Sequence, residues 1–272
     1  MHGRRRAKTF VRVLGALALG ATAVPASAVD AVHARPARVS IIIDDVGNSL
    51  ARGRRVIALP APVALAILPH TAHGSRLARE AHRAHKEVLL HLPMQPLNQA
   101  EPGPGAIEVG MPAREIAVTL DYDLRTVPHA IGVNNHMGSR VTRDQDTMRA
   151  LLDALRARGN LFFVDSLTDG HSTATRTAQT LGVPALARDV FLDHDLDAGA
   201  IRARFTELVA TARQRGHAIG IGHPHPETLS AIEAWLATAA RENIRVVPLS
   251  DLLRQPKEAH HGERARTAGA GM

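Results

Sequence analysis

Hydrophobic positions along this chain switch repeatedly between an unbroken, strand-like pattern and a helical one. Val39–Ile43 is a nearly continuous β-branched run, the pattern of a strand buried on both faces. Similar runs lie at Val63–Leu68, Glu87–Leu92, Ala130–Asn134, Leu161–Val164, Pro184–Ala187, Ala218–Gly222 and Arg245–Leu249. Between them, Ser75–Lys86, Asp146–Arg158, Ala200–Arg215 and Thr228–Arg241 carry apolar residues at helical spacing, and another helix begins near Leu50. Gly159 and Gly216 follow basic last turns, which is helix-stop chemistry. Alternating strands and helices predict parallel strands with helices outside. About eight strands in roughly 215 residues suit a small closed or nearly closed barrel, with an open doubly wound sheet as the alternative. Gln99–Gly110, rich in Pro and Gly, reads as a loop within one domain.

Polar residues stand where these strands end. Asp44 and Asp45 follow the first, His91 the third, Asn134, Asn135 and His136 the fourth, Asp165 and Ser166 the fifth, and His223 and His225 a late one. In a parallel barrel such ends converge on one mouth, where sites form. Two adjacent carboxylates repel and need a cation or donors to offset burial. One reading puts a carboxylate on a metal and the other to work as proton acceptor; another makes Asp45 or Asn48 a helix N-cap. Gly220 and Gly222 permit close backbone approach before His223, and Pro224 and Pro226 stiffen the turn after it. His225 reads either as a site residue or as the entry to the next helix. Asp165 reads as an orienter of a His, an acceptor for a substrate hydroxyl, or an N-cap. Asp189 and Asp193 read as substrate contacts or as partners of Arg188.

Composition narrows the chemistry. The absence of cysteine excludes disulfides, thiolate metal sites and thiol nucleophiles, so any transition-metal site must draw on the 16 histidines with Asp or Glu. Walker, GxGxxG and GxSxG patterns are absent. The net charge of +7 belongs to the ends. Of 33 Lys and Arg, five lie in residues 1–28 and four in 254–272, against only two of the 26 acids, which leaves the body balanced. With 3% aromatics and no basic face, nucleic-acid binding is not expected. Residues 1–28 read as a secretory signal: Arg4–Arg6, an apolar Val11–Val24 shorter than the roughly 20 residues of a membrane span, and Ala26–Ala28 as an A-x-A cleavage site. Residues 29–38 read as a linker, 39–253 as the domain, and 254–272 as a disordered basic tail. The expectation is an exported protein of the periplasm or cell envelope, with no stable membrane insertion once the signal is removed.

Seven stretches, in order, resemble the divergent polysaccharide deacetylases: Ile43–Gly47, Ala66–His70, His91–Met94, Asn134–Ser139, Phe163–Ser166, Asp189–Asp193 and Gly220–Pro226. The resemblance implies a distorted (β/α)-barrel of the glycoside hydrolase/deacetylase type and a carbohydrate substrate. It implies that Asp44 and His223 are catalytic, as base and acid, and that Asp45 and His91 hold a divalent metal, Zn²⁺ or a similar ion. Where carbohydrate deacetylases place a second His four residues after the first, this chain has Gln95; His136 is the candidate for that third ligand. Asn135, Asp165 and His225 would contact substrate. The expected activity is removal of acetyl groups from an envelope glycan. The departure at Gln95 leaves a non-catalytic glycan- or protein-binding member of the fold as the alternative. A carboxylate-only glycoside hydrolase using Asp44 with Asp165 or Asp193 is a third reading.

Overall fold

The computed structural model describes residues 36–254. The signal expected at residues 1–28, all but the first residue of the tail expected at 254–272, and most of the linker lie outside that range. Strand β1 (Ala37–Val46) is the spine of the sheet. Its β-branched side chains suit a pleated strand covered on both sides, and Val39 and Ile41–Ile43 are fully buried. Each such side chain contributes about 1.5–3 kcal/mol of burial free energy.

Around β1 stand β2 (Ala64–Ile67), β3 (Val88–Met94), β4 (Ala130–Met137), β5 (Phe162–Asp165), β6 (Ala185–Ala187), β7 (Val190–Phe191), β8 (His217–Gly222) and β9 (Ile244–Val246). Every ladder is parallel, in the order β6-β5-β4-β3-β2-β1-β8-β7. β9 pairs with the first residues of β1, below the stretch that β2 occupies on the same edge. No ladder joins β6 to β7 among the described residues. The chain itself spans that seam: the Arg188 N–H donates to Asp165 O of β5 and the Asp189 N–H to Ile219 O of β8. The result is an incomplete (β/α)-barrel, held across its seam by two residues.

Helices α1 (Leu50–Ala58), α2 (Gly74–Arg83), α3 (Ala113–Thr126), α4 (Gln145–Ala157), α5 (Ala174–Leu181), α6 (Ala198–Arg215), α7 (Pro226–Ala239) and the short α8 (Ser250–Leu253) accompany the strands. Ser49, not Asp45 or Asn48, caps α1, accepting from the Arg52 N–H. Gly216 ends α6 in the left-handed conformation, as its position after a basic turn predicts. The two-residue β7 is too short to show a period, and α3 and α5 lie outside the predicted helices. The expected strand at Arg245–Leu249 stops at Val246: Pro248 has no N–H for a ladder, and the chain turns into α8. The Glu87 carboxylate accepts from the Leu249 and Ser250 N–H groups and secures that end.

Burial sorts into two layers. Val39, Ile41, Ile43, Leu65, Ile67, Leu90 and Leu92 pack with helix residues such as Leu77, Leu151 and Leu208. Ile42, Ala64, Ala66, Leu89, Phe162, Val164, Ile219 and Ile221 form a second cluster that fills the barrel interior. Strand side chains alternate between faces. Asp44, His91, Ser166 and His223, each two residues beyond an interior Ile42, Leu89, Val164 or Ile221, therefore fall on the inner face above the apolar plug.

One buried acid lies apart from this array. Asp123 of α3 is fully buried; its Oδ1 is 2.6 Å from His70 Nε2, and its Oδ2 has no partner. Burial pushes its carboxyl from the ordinary 3.8 up to about 6, against the opposing pull of His70. Between those values the folded chain holds a proton that the unfolded chain has released. The associated stability is complete below about 4 and is lost as pH rises through about 6. Asp123→Asn removes this titration. Chemical denaturation from pH 4 to 7 should show the wild type losing stability relative to the Asn variant as pH rises, by at most about 3 kcal/mol; a difference independent of pH would contradict the assignment.

Candidate active site

Neighbouring residues of a regular strand point to opposite faces, so Asp44 and Asp45 could not share a site on an unbroken β1. The register between β1 and β2 slips after Ile43, and Asp45 adopts φ 54°. This bulge re-aims the second carboxylate. Asp44 Oδ2 lies 3.7 Å from His91 Nε2, and Asp45 Oδ1 lies 3.2 Å from the same atom. His136 Nδ1 is 2.9 Å from Asp45 Oδ1 and 3.2 Å from His91 Nε2.

Asp45 Oδ1, His91 Nε2 and His136 Nδ1 thus form a triangle with edges of 2.9–3.2 Å. A point about 1 Å above its plane lies about 2.0–2.1 Å from all three atoms, the bond length of zinc to such ligands. Asp45 Oδ1 is buried and has no hydrogen-bond partner, because the two ring nitrogens approach it off the hydrogen-bond direction. An orphaned carboxylate oxygen facing two imidazole nitrogens suits a shared cation better than a hydrogen-bonded cluster. The residues present therefore fit a divalent metal.

Asn134 sets the protonation of this corner. Its Nδ2 donates to Asp44 Oδ1 at 2.8 Å and to Ser166 Oγ at 3.2 Å, which turns Oδ1 toward His91 Nδ1 at 3.0 Å. An amide oxygen only accepts, so the neutral His91 ring carries its proton on Nδ1 and offers a lone pair at Nε2. The β3–β4 register places Asn134 directly beside His91.

His223 enters from β8. Its Nδ1 lies 3.0 Å from Asp193 Oδ1, and its backbone N–H and the Thr228 hydroxyl both donate to Asp193 Oδ2. Nε2 is left facing the mouth, 3.8 Å from Asp45 Oδ2. A Cβ on Gly222 would meet Thr228 Cγ2 at 3.1 Å and Asp193 Oδ2 at 3.2 Å, so glycine lets this network close.

Charge and burial oppose each other throughout. Burial raises the Asp44 carboxyl and outweighs His91, His223 and Asn134, which pull it down. Burial would raise Asp45 too, but the His136 and His91 contacts outweigh it and hold that carboxyl well below the usual range. His91 is pushed down by burial and up, by more, by Asp44 and Asp45. For His223, burial is outweighed chiefly by Asp193, and the imidazole rises to about 9.

The five residues expected at the mouth, Asp44, Asp45, His91, His136 and His223, come together; all but Asp45 line a cavity of about 350 Å³ with Asn135, Ser166, Leu167, Thr168, Arg188 and Phe191. Other expectations land elsewhere. Asn135 lines the cavity, but its amide bridges Met137 O and the Ser166 N–H. Asp165 does not line it; its carboxylate accepts from the Leu167 N–H and the Ser172 hydroxyl. His225 occupies the N-cap position of α7, beside a smaller hollow shared with Asp45, Asn48 and Arg52. Asp193, His223 and His225 also approach one another within 4.8 Å, yet Asp193 is already engaged by His223 and Thr228. Neither Asp165 nor Asp193 offers a free carboxylate to pair with Asp44. Asp189 and Asp193 were read as substrate contacts or as partners of Arg188, but Asp189 pairs with Arg215 and Asp193 with His223. Gln95, at the position of the missing His, accepts from the Val109 N–H and anchors the Pro/Gly loop. Asn134 was read only as one of the polar residues at the end of its strand, with no role assigned, although it shares the face of His136 two residues on.

The sequence pattern of the divergent polysaccharide deacetylases matches residues 41–253. The chain is 36% identical over 220 residues to the uncharacterized protein YibQ of Escherichia coli, covering 81% of this chain and 68% of that one. It is 35% identical over 220 residues to an uncharacterized protein of Haemophilus influenzae, covering 81% and 78%. A solved uncharacterized protein from Agrobacterium tumefaciens matches with a TM-score of 0.77 at 27% identity, over 81% of this chain and 90% of that one. A T48 deacetylase solved with substrate matches in fold, with a TM-score of 0.51 at 11% identity over 80% of this chain and 90% of that one. The chain belongs to the divergent polysaccharide deacetylase family.

Proposed function

We propose that this protein is a metal-dependent hydrolase that removes acetyl groups from an envelope polysaccharide or related glycan, and that it works outside the cytoplasm. The observation that carries the reading is the triangle of Asp45 Oδ1, His91 Nε2 and His136 Nδ1, with Asp44 on one side and His223 on the other. The basic and apolar start of the chain, ending in Ala26–Ala28, supports export.

Asp45, His91 and His136 would hold the ion. A divalent cation there supplies Lewis acidity to an attacking water and to the acyl oxygen. Asp44, raised by burial, accepts the proton of that water. Asn134 holds the Asp44 carboxylate in place through Oδ1, leaving Oδ2 toward the mouth. His223 donates a proton from Nε2 to the departing sugar nitrogen or oxygen, and Asp193 fixes its tautomer and orientation through Nδ1. The apolar plug beneath these groups keeps water from reaching them from below.

The direct test is metal content and acetate release. Purified protein should hold about one divalent ion per chain and release acetate from acetylated oligosaccharides. Asp45→Ala, His91→Ala and His136→Ala should each lose the ion and the activity together. Protein that is metal-free, takes up no added Zn²⁺ and releases no acetate would sink the proposal.

Because Asp193 is what raises His223 to about 9, the protonated acid persists well into alkaline solution. The rate should fall as pH rises through that value. Asp193→Asn should move the alkaline limb to lower pH while leaving bound metal unchanged; an unmoved limb would remove His223 from the role of acid. Asn134→Ala leaves a buried carboxylate oxygen and a buried imidazole N–H without partners. It should cost about 1–3 kcal/mol in unfolding free energy and weaken metal affinity by about 10–100-fold, measurable by denaturation and by competition with a chelating dye.

A further inference from the structure

One wall of the cavity carries a cation that the acetyl-transfer chemistry does not use. Arg188 sits at the seam, between β6 and β7. Its Nε donates to Ser166 O at 2.7 Å and its Nη2 to Leu167 O at 2.8 Å. These two consecutive carbonyls take one edge of the guanidinium. Leu167 holds its place with φ 47°, an uncommon conformation for leucine. Behind the guanidinium, Cζ stands 5.2 Å from the Phe191 ring centre, and the same ring meets His223 edge-on at 5.4 Å between centroids.

A guanidinium has five N–H groups and cannot shed its charge. Two N–H groups are occupied here. The opposite edge, Nη1 with the second hydrogen of Nη2, has no protein acceptor among the described residues. The side chain is only partly exposed, and the cavity it lines is the one that holds Asp44, His91, His136 and His223. No carboxylate forms an ion pair with Arg188 among the described residues; Asp189, its neighbour, turns instead to Arg215. A rigidly held, half-buried cation with an open parallel pair of donors matches a carboxylate in geometry and charge. Asp44, Asp165 and Asp189 attract the guanidinium from a distance without pairing with it, and a neutral acetylated sugar would leave its open edge without a charged acceptor.

We propose that Arg188 is a carboxylate-binding subsite, and that the preferred substrate is an acylated sugar bearing an acidic group near the acyl group that is removed. This deepens the deacetylase reading and rests on it for the reaction, but not for binding. Arg188 selects substrate, and it takes no part in the proton transfers.

The test compares one glycan in two charge states: a disaccharide of N-acetylglucosamine and N-acetylmuramic acid, as the free carboxylate and as its methyl ester. With metal-loaded wild type, kcat/KM for the free acid should exceed that for the ester by about tenfold or more, the value of one charged bidentate contact. Arg188→Lys keeps a charge but not the fork; it should erase most of that preference through KM, so that kcat/KM falls several-fold further for the acid than for the ester. Equal rates on acid and ester in the wild type, or an equal loss on both in the variant, would overturn the subsite; the second result would make Arg188 a support for the Ser166–Leu167 turn alone. Calorimetric binding of the same pair separates this inference from the reaction. If neither compound releases acetate, tighter binding of the acid that is lost in Arg188→Lys upholds the subsite without the deacetylase. Indifferent binding overturns the subsite whatever the activity.

Discussion

Two carboxylates on adjacent residues of a buried strand are costly, and this barrel mouth is arranged around that cost. The slip in register after Ile43 turns Asp45 to the same side as Asp44 and so creates the problem. The answer is a division of labour. Asp44 is buried, receives a hydrogen bond from Asn134 and is pushed toward its protonated form. Asp45 faces two imidazoles and is held strongly ionised. Two identical side chains thereby acquire opposite tendencies from their surroundings alone. A proton acceptor and a cation ligand need that asymmetry.

The second organising feature is the pair of relays that hold the two working imidazoles. Asn134 dictates the tautomer of His91 because its own amide is pinned by Asp44 and Ser166. Asp193 dictates that of His223 because Thr228 and a backbone N–H occupy its other oxygen. One relay bares a lone pair and the other leaves a ring nitrogen free to carry a proton. These supports come from β4, the segment after β7 and α7, so the chemistry of the mouth depends on the barrel being assembled around it. Arg188 shows the same economy: the two carbonyls that restrain it leave one edge of its guanidinium without a protein acceptor among the described residues.

Much of the architecture was legible in the chain. The β-branched run at Val39–Ile43 forecast a central strand, and it became the spine of the sheet. Asp44, His91 and His223 were legible as site residues because each ends an apolar run whose alternation continues into it. Asn134 was visible as a strand-end residue, but its role was not, because an uncharged amide beside asparagine and histidine does not say which groups it joins. The roles weighed for Asp165 and His225 rested on strand-end position alone. That position does not say whether a carboxylate turns into the mouth or back onto its own loop, as Asp165 does. β7 escaped notice because two residues are too few to display a period.

What the sequence by itself determined is the kind of object this is: parallel strands wrapped by helices, with acids and imidazoles at the strand ends and no thiol chemistry. Local physics sufficed for that, since period, turn residues and composition act over short stretches of chain. Only the tertiary structure decided which atoms meet. The bulge that aligns Asp44 with Asp45, the amide that links residues 90 positions apart, and the reach of Asp193 to His223 all follow from the register of strands distant in sequence. Parallel pairing sets that register through the packing of the whole barrel, and no short segment of the chain encodes it.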